Sequence, residues 1–306
     1  MIKKILKRWY ILIGPIIFII IIKDIDFSSL RKIFLEINLI YYAMAFSLYL
    51  PIAFLRSYRW KKIMDAQKIH YSVKDAFLMY SSSSLLGLIT PGKIGDFSKM
   101  VYLKKDDHSM TQAFLGNFLD KLFDLLFSTI FVFIAIFFLP FIPNFSLDYV
   151  ALIKWGGLMA ITVSFILFWV YKNNKEKLIN FIREIIIDIK RIKAMQVSYI
   201  FTITAVNWFI YFILIYFTAL SIGMAQYTTF FYLSFTGACG VLIGLLPVST
   251  LNIGTREAIF IFLLTPVGVP KEMIISFSLL VLLNYLCLFL IGWYGWTKKP
   301  VFGNLT

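Results

Sequence analysis

The chain has 306 residues, of which 60% are apolar and only 15% charged, and its formal net charge is +14. A soluble domain of this size cannot bury so much apolar surface in one core, so the composition excludes an ordinary soluble protein and indicates one embedded in lipid. The basic residues lie between apolar runs, and the positive-inside rule therefore accounts for the net charge without a nucleic-acid partner.

Six apolar runs are long enough to cross a bilayer, which takes about 20 residues. The first follows four basic residues and resembles a signal peptide, but no small-residue cleavage site follows it, so we expect an uncleaved span. The predicted spans cover residues 8–23, 38–56, 113–139, 150–171, 198–222 and 273–296. This pattern predicts an all-α, polytopic helical membrane protein that forms a single membrane domain over residues 1–306.

Two further apolar stretches, residues 76–101 and 229–266, are interrupted by proline and glycine. We call the interruptions the first tip, residues 90–96, and the second tip, residues 247–255. Proline and glycine free backbone groups that lipid cannot satisfy, so such backbone has to lie in protein or line a watery cavity. Paired interruptions are typical of transporters built from inverted repeats, whose binding site lies between them. We expect two oppositely oriented re-entrant hairpins, with kinked spans as the alternative.

The distribution of lysine and arginine predicts the orientation. With six spans, two re-entrant hairpins and a cytoplasmic N-terminus, 23 of the 30 basic residues face the cytoplasm and four face outward. The first hairpin then opens to the cytoplasm and the second to the outside of an inner, cytoplasmic membrane, and both chain termini are cytoplasmic. Residues 172–196 are charged with interleaved isoleucine, which predicts an amphipathic helix on the inner leaflet.

The two tips carry the first group of candidate substrate ligands. Arg256 is the foremost candidate for a phosphate, because guanidinium binds phosphate in bidentate fashion, and Lys93 is the second. The helices that start after the tip glycines point their N-termini, which favour anions, at the same site. Asp96 and Glu257 either cap these helices or exchange ion pairs or protons during transport. The full set predicted at the tips is Lys93, Gly95, Asp96, Ser249, Asn252, Gly254, Arg256 and Glu257.

A second group of polar residues lies in the predicted span 113–139. Asn117, Asp120, Lys121 and Asp124 lie at offsets of 0, 3, 4 and 7, so they share one helix face. A charge at the bilayer centre costs about 2.5–3.5 kcal/mol, so these charges need partners or water. They form either a structural ion pair near the cytoplasmic end or one wall of a polar cavity, and all four are candidate substrate ligands.

The remaining polar residues have structural interpretations. Arg56 and Arg59 end a predicted span beside Trp60, where interfacial anchoring is expected before substrate contact. Asn207 and Asn284 are candidates for interhelical hydrogen bonds. The sequence contains no metal-ligand pattern, phosphate loop or nucleophile–base arrangement. We therefore expect no metal, no cofactor and no catalytic activity.

Three motifs carry a resemblance to a known family. They are Arg56-Ser57-Tyr58-Arg59-Trp60, then Thr90-Pro91-Gly92-Lys93-Ile94-Gly95-Asp96, then Pro247-Val248-Ser249 with Gly254-Thr255-Arg256-Glu257. With these motifs and its apolar spacing, the chain resembles the flippase-like transmembrane domain family, also called the lysylphosphatidylglycerol synthase transmembrane region. It departs from the family at Lys93 and Asn252, where glycine is common. Because the chain ends at Thr306, soon after its last span, we expect a stand-alone member without the soluble synthase domain.

The resemblance implies a protein that translocates or binds lipids, either aminoacylated phospholipids or other polyisoprenoid- or glycan-linked lipids. We expect a lipid flippase that moves the anionic headgroup of a phospholipid, an aminoacylated phospholipid or a polyprenyl-phosphate-linked lipid between leaflets. The alternative is a non-transporting membrane partner of a glycosyltransferase or lipid-modifying enzyme, with residues 172–196 as its docking surface. Membrane lipids are the expected partners. A lipid-modifying or glycosyl-transfer enzyme as a further partner, and assembly into a homo-oligomer, are left as open alternatives.

Overall fold

The computed structural model describes residues 13–138, 192–245 and 249–301, together with the single positions 179, 183 and 186. Every regular element in this part of the chain is a helix, as the sequence predicts. The α-helices, numbered in chain order, are α1 (Ile13–Ile22), α2 (Phe27–Leu35), α3 (Leu39–Ser47), α4 (Tyr49–Ala66), α5 (Val73–Ile89), α6 (Lys99–Lys105), α7 (Met110–Phe138), α8 (Ala194–Ser221), α9 (Phe230–Ile243), α10 (Thr255–Leu264) and α11 (Lys271–Lys298). Three 3₁₀ turns are Pro91–Ser98, Met224–Gln226 and Thr265–Val267.

Four helical stretches of the described chain are long and apolar enough to cross a membrane. They are Leu39–Ala66, which joins α3 and α4, Met110–Phe138, Ala194–Ser221 and Lys271–Lys298. They correspond to four of the predicted spans and agree with a multi-pass membrane protein, while α1 and α9 are shorter apolar helices. The predicted span 150–171 and most of the predicted amphipathic segment 172–196 lie outside the described residues.

Local sequence explains where several helices begin. Four of them follow residues whose side chains accept hydrogen bonds from the first backbone amides, as preferred N-cap residues do. These residues are Asp26, Asn38, Ser72 and Thr229. Helices α3 and α4 are separated only at Leu48, because Pro51 has no amide hydrogen to donate to the preceding turn.

The first interrupted stretch folds as a helical hairpin. Helix α5 runs in, the chain turns through Pro91–Ser98, and the short α6 runs back. At the open end the Tyr71 hydroxyl donates a 2.7 Å hydrogen bond to Asp106 Oδ2, so the two ends of the hairpin lie together. Burial, and then the neighbouring carboxylate, raise the pKa of Tyr71, which therefore stays protonated as the donor.

The second interrupted stretch has the same form. Helices α9 and α10 enclose the second tip, and the Tyr232 hydroxyl near the start of α9 donates to the Leu263 carbonyl near the end of α10. Residues 246–248, which include the predicted helix breaker Pro247, lie outside the described residues.

Helix α11 contacts both hairpins, which enter from its opposite ends. Beyond its C-terminus, Lys299 Nζ lies 2.7 Å from Asp75 Oδ1 at the open end of the first hairpin. The second hairpin opens beside the start of α11, to which the short connection after α10 leads. Both tips reach the middle of α11, because Leu288 borders the first tip and Ser278 and Tyr285 border the second.

Glycine allows α11 to approach α5 closely. A Cβ at Gly292 would lie 2.9 Å from Leu85 Cβ, and a Cβ at Gly295 would lie 2.9 Å from the Leu78 carbonyl oxygen. Small residues at helix contacts are typical of membrane proteins, in which close packing drives helix association. Apolar side chains complete the interior in two clusters, one around α8, α9 and α11 and the other around α4 to α7.

Candidate functional site

The two tips share an unusual backbone conformation. In the first tip, Gly92 and Lys93 have positive φ angles of 60° and 56°. In the second tip, Leu251 and Asn252 have φ angles of 54° and 60°. Each pair is followed directly by Ile-Gly, so the similarity of the two sequences extends to their backbones. Left-handed backbone costs an L-residue about 1–2 kcal/mol, and such strain tends to cluster at functional sites.

The tip glycines are positions of close contact whose amides are already bonded. A Cβ at Gly95 would lie 2.3 Å from the backbone of α5, and one at Gly254 would lie 1.9 Å from the Gly14 carbonyl oxygen. The Gly95 amide donates to Thr90 Oγ1 at 2.7 Å, and the Gly254 amide donates to Glu257 Oε2 at 2.5 Å. These two amides are therefore not available to bind an anion, because neighbouring side chains cap them.

A cavity of about 50 Å³ adjoins the first tip, between α4, α5, α7 and α11. Its charged lining consists of Arg56, Lys93, Asp96 and Lys121, and we call it the first-tip cavity. Lys121 forms an ion pair with Asp96, an acid of another segment, and not with Asp120 or Asp124 of its own helix. Gly87 leaves room for the carboxylate, since a Cβ there would lie 1.8 Å from Asp96 Oδ1.

Two further positive charges, on Arg56 and Lys93, face the first-tip cavity. Within the described residues neither side chain forms an ion pair, and Arg56 Nε is buried without a hydrogen-bond partner. The lining carboxylate of Asp96 is already bound to Lys121. The first-tip cavity therefore has an excess of positive charge, and both unpaired side chains are donors suited to a carboxylate or phosphate.

Beside the cavity, Arg59 is fully buried between two carboxylates of α7. Its Nε lies 2.9 Å from Asp120 Oδ1, and its Nη1 and Nη2 lie 2.7 and 2.8 Å from the two oxygens of Asp124. The prediction that Arg59 anchors the interface is wrong, because two carboxylates one helical turn apart match the guanidinium fork and hold it inside. Asp120 and Asp124 are thus structural ion-pair partners and do not line the first-tip cavity.

The same interior region contains Lys99, which no sequence pattern indicated. Lys99 Nζ lies 3.4 Å from Asp120 Oδ2 and 3.9 Å from the centre of the Tyr80 ring, as in a cation–π contact. We refer to Arg59, Lys99, Asp120 and Asp124 as the Arg59 cluster. Asn117 packs beside it, accepting a 3.1 Å hydrogen bond from Trp60 Nε1 and donating to a carbonyl of its own helix, so both ends of its amide are engaged.

At the second tip, Arg256 and Glu257 form a buried ion pair. Arg256 Nη2 lies 2.8 Å from Glu257 Oε1. Ser278 Oγ of α11 bridges the two, accepting from Arg256 Nε at 2.7 Å and donating to Glu257 Oε1 at 2.6 Å. Glu257 thus caps α10 and also neutralises Arg256. Arg256 Nη1 is buried and has no partner in the described part of the chain, so one donor of the guanidinium, which we call the open donor, has no acceptor.

The other candidates at the second tip have local contacts. Ser249 Oγ lies 3.2 Å from Thr255 Oγ1. The Asn252 side chain is buried over Gly244, where a Cβ would lie 2.2 Å from Asn252 Nδ2. Neither residue lines the first-tip cavity, so the structure divides the predicted ligands between two places. Among the described residues, no three His, Cys, Asp or Glu side chains gather as possible metal ligands.

Two tyrosines lie between the tips. The rings of Tyr49 and Tyr285 meet edge to face at 6.2 Å, and Arg256 Cζ lies 6.0 Å from the centre of the Tyr285 ring. The Tyr49 hydroxyl is buried without a partner in the described residues. The two rings thus continue from α4 to the guanidinium of Arg256 at the second tip.

The comparison with protein families agrees with the motifs at these sites. The family model of the lysylphosphatidylglycerol synthase TM region matches residues 9–292. The chain belongs to this family. The match confirms the resemblance drawn from the three motifs. Neither the search of curated proteins nor the search of solved structures finds a match.

The resemblance to the lysylphosphatidylglycerol synthase TM family implies glycine at the positions where this chain has Lys93 and Asn252. Both residues adopt a positive φ here. Glycine adopts this conformation without steric cost, so Lys93 and Asn252 are strained where a glycine would not be.

Sequence reasoning missed several residues of the site. Arg56 and Arg59 are three residues apart and so share a helix face, which was the available signal for an interior role. Tyr49, Tyr285 and Ser278 carry no sequence signal, because only tertiary contacts bring them to the tips.

The predicted interhelical hydrogen bond of Asn284 is confirmed. Asn284 Nδ2 of α11 donates to Thr218 Oγ1 of α8 at 3.2 Å.

Proposed function

We propose that this membrane protein translocates a lipid with an anionic headgroup between the two leaflets of a cell membrane. Family membership and the apolar helices support a membrane domain, and the excess of positive charge in the first-tip cavity supports an anionic ligand. We also propose that the chain acts as a transporter with no catalytic activity of its own.

The observation that carries the proposal is the pair of unmatched cations, Arg56 and Lys93. Taking an ion out of water costs several kcal/mol even after relaxation, and these two partly buried side chains lose water without gaining an ion-pair partner among the described residues. A bound phosphate would supply the missing negative charge and accept hydrogen bonds from both side chains. Ligand binding therefore gives a physical reason for placing both cations against one cavity.

The opposed hairpins suggest a route for the headgroup. In our proposal both are re-entrant, the first opening to the cytoplasm and the second to the outside, and both chain termini are cytoplasmic. A headgroup held by Lys93 would pass Tyr49 and Tyr285 to reach the open donor of Arg256. The hydrocarbon chains would remain in the bilayer, because only the headgroup needs a polar path.

Translocation in proteoliposomes tests the proposal. The purified protein is reconstituted with labelled phospholipids and polyprenyl-phosphate lipids, and the access of an external quencher to the label is followed over time. We expect protein-dependent movement of an anionic lipid, slowed about tenfold or more in Lys93→Gln, since a hydrogen bond to a charged group is lost. Lys104→Gln is the matched control, because Lys104 is an exposed lysine of the same hairpin.

Arg256 needs a conservative substitution. Arg256→Ala would remove the partner of buried Glu257, so a loss of activity could follow from misfolding alone. Arg256→Lys keeps the positive charge, but the lysine ammonium lacks the second donor nitrogen that the guanidinium presents to a headgroup. We expect this variant to insert normally and to transport slowly, and a normal rate would show that the open donor of Arg256 does not contact the headgroup.

No movement of any lipid by correctly folded wild-type protein would refute the translocase. The alternative, a non-transporting partner of a glycosyltransferase or lipid-modifying enzyme, would then be preferred. Its proposed docking surface, residues 172–196, lies mostly outside the described part of the chain.

A further inference from the structure

The interior around the first tip contains more cations than carboxylates. Its buried or cavity-lining cations are Arg56, Arg59, Lys93, Lys99 and Lys121, and its carboxylates are those of Asp96, Asp120 and Asp124. All three carboxylates are in ion pairs. Asp96 pairs with Lys121, Asp120 pairs with Arg59 and Lys99, and Asp124 pairs with Arg59. With every group ionised, this region has two positive charges in excess.

The excess is concentrated at one place. Arg56 and Lys93 both line the first-tip cavity, and neither has an ion-pair partner among the described residues. The second tip does not share the imbalance, since Arg256 is matched by Glu257. A ligand that balances the interior therefore has to bring about two negative charges to the first-tip cavity.

The size of the cavity restricts the group that carries those charges. A volume of about 50 Å³ corresponds to a few water-sized atoms, since one water requires roughly 10–15 Å³ by this measure. That space matches a single phosphate group. A sugar, a further glycerol or an aminoacyl group joined to that phosphate would have to lie outside this space.

We infer that the transported lipid is a phosphomonoester, a lipid whose headgroup is one terminal phosphate. Such a phosphate carries about two negative charges near neutral pH, whereas a phosphodiester carries one and an aminoacyl group adds positive charge. The inference rests on the proposed function and selects within it. Phosphatidic acid and a polyprenyl monophosphate are the two lipid sources of this headgroup.

Binding measurements on the purified full chain test the selectivity. The protein, in neutral detergent, is titrated with short-chain phosphatidic acid, a short polyprenyl monophosphate, phosphatidylglycerol of matched chain length, and inorganic phosphate. We expect both phosphomonoesters to bind at least about tenfold more tightly than phosphatidylglycerol, because each satisfies one more charged donor. Inorganic phosphate should bind more weakly than either lipid, and equal affinity would make this a site for free phosphate and overturn the inference.

Variants connect the selectivity to the two unmatched cations. In Lys93→Gln and in Arg56→Gln the preference for phosphomonoesters over phosphatidylglycerol should shrink, because one cation fewer remains to favour a dianion over a monoanion. Lys104→Gln should retain the full preference. Lys93→Gln removes a cation that has no carboxylate partner, so its melting temperature without ligand should not fall below that of the wild type. A preference that survives in both cavity variants would overturn the inference.

Translocation assays on the same lipids separate this inference from the proposed function. Movement of phosphatidylglycerol as fast as phosphatidic acid, with equal binding, would refute the phosphomonoester inference and leave the translocase intact. Selective binding of phosphomonoesters without movement of any lipid would support the site and refute the translocase.

Discussion

Arg56 and Arg59 lie one helical turn apart and have different roles. Arg59 has two carboxylate partners and is a structural residue, whereas Arg56 lines the first-tip cavity without one. The sequence predicted that the carboxylates of α7 would need cations. It could not predict which cation, because that choice depends on how α4 packs against α7.

Removing Arg59 should destabilise the protein strongly. Arg59→Leu leaves Asp120 and Asp124 without their main partner in the interior, and breaking a buried ion pair on one side costs about 3–5 kcal/mol. Thermal unfolding in detergent measures the loss. As a control, Arg31→Leu removes an exposed arginine of α2 and should have little effect.

A combined variant distinguishes ion pairing from simple packing. Adding Asp120→Asn and Asp124→Asn to Arg59→Leu removes the unpaired charges and should restore part of the melting temperature. If the triple variant is less stable than Arg59→Leu alone, the cluster does not act through charge balance.

On the scale of the secondary-structure elements, the two tips were the most predictable feature. Proline and glycine inside apolar runs predicted both breaks, and the Ile-Gly pair aligned them. The residues that cap the tip amides were less predictable. Thr90 Oγ1 accepts from the Gly95 amide at the first tip, and the Glu257 carboxylate accepts from the Gly254 amide at the second. Asp96 and Glu257 differ in register, because Asp96 follows its glycine directly and Glu257 comes three residues after its own.

Gly254 should tolerate no side chain. In Gly254→Ala the new Cβ would meet the Gly14 carbonyl oxygen at 1.9 Å and would also be held at a φ of 85°. Gly268 is a matched control with the same φ and no neighbour near its Cβ position. Gly268→Ala should cost only the left-handed strain of about 1–2 kcal/mol, and Gly254→Ala clearly more. Equal melting temperatures for the two variants would refute the close contact with α1.

Thr90 should stabilise the first tip through its hydroxyl. Thr90 Oγ1 accepts from the Gly95 amide and donates to the Leu86 carbonyl, so Thr90→Val leaves a backbone amide unpaired at a cost of about 1–3 kcal/mol. Thr90→Ser keeps the hydroxyl and should remain close to the wild type in thermal unfolding. Thr297→Val, which removes an exposed hydroxyl from α11, is the control for the substitution itself. A Thr90→Ser variant as unstable as Thr90→Val would show that the methyl group, not the hydroxyl, matters.

At the scale of the whole molecule, composition and hydropathy predicted the helical membrane class and four of the long apolar helices. The charge count needs one correction, because Arg56, Arg59, Lys93 and Lys99 belong to the interior. Without them, 19 of the original 23 basic residues remain on the predicted cytoplasmic side against four outside, which still favours the same orientation. Interior charges could not be separated from loop charges by sequence, since both occur at the ends of apolar runs.

Cysteine labelling tests orientation and hairpin topology together. In a background where Cys239 and Cys287 are replaced by alanine, single cysteines are placed at four exposed positions that flank the hairpins. They are Lys68→Cys and Lys104→Cys around the first hairpin, and Tyr227→Cys and Lys271→Cys around the second. An impermeant maleimide should label the second pair in intact cells and the first pair only after permeabilisation, because a re-entrant segment returns to the side it entered. Labelling of Lys68→Cys and Lys104→Cys from different sides would instead make the first hairpin a kinked span, and the inverted arrangement of the two tips would then be lost.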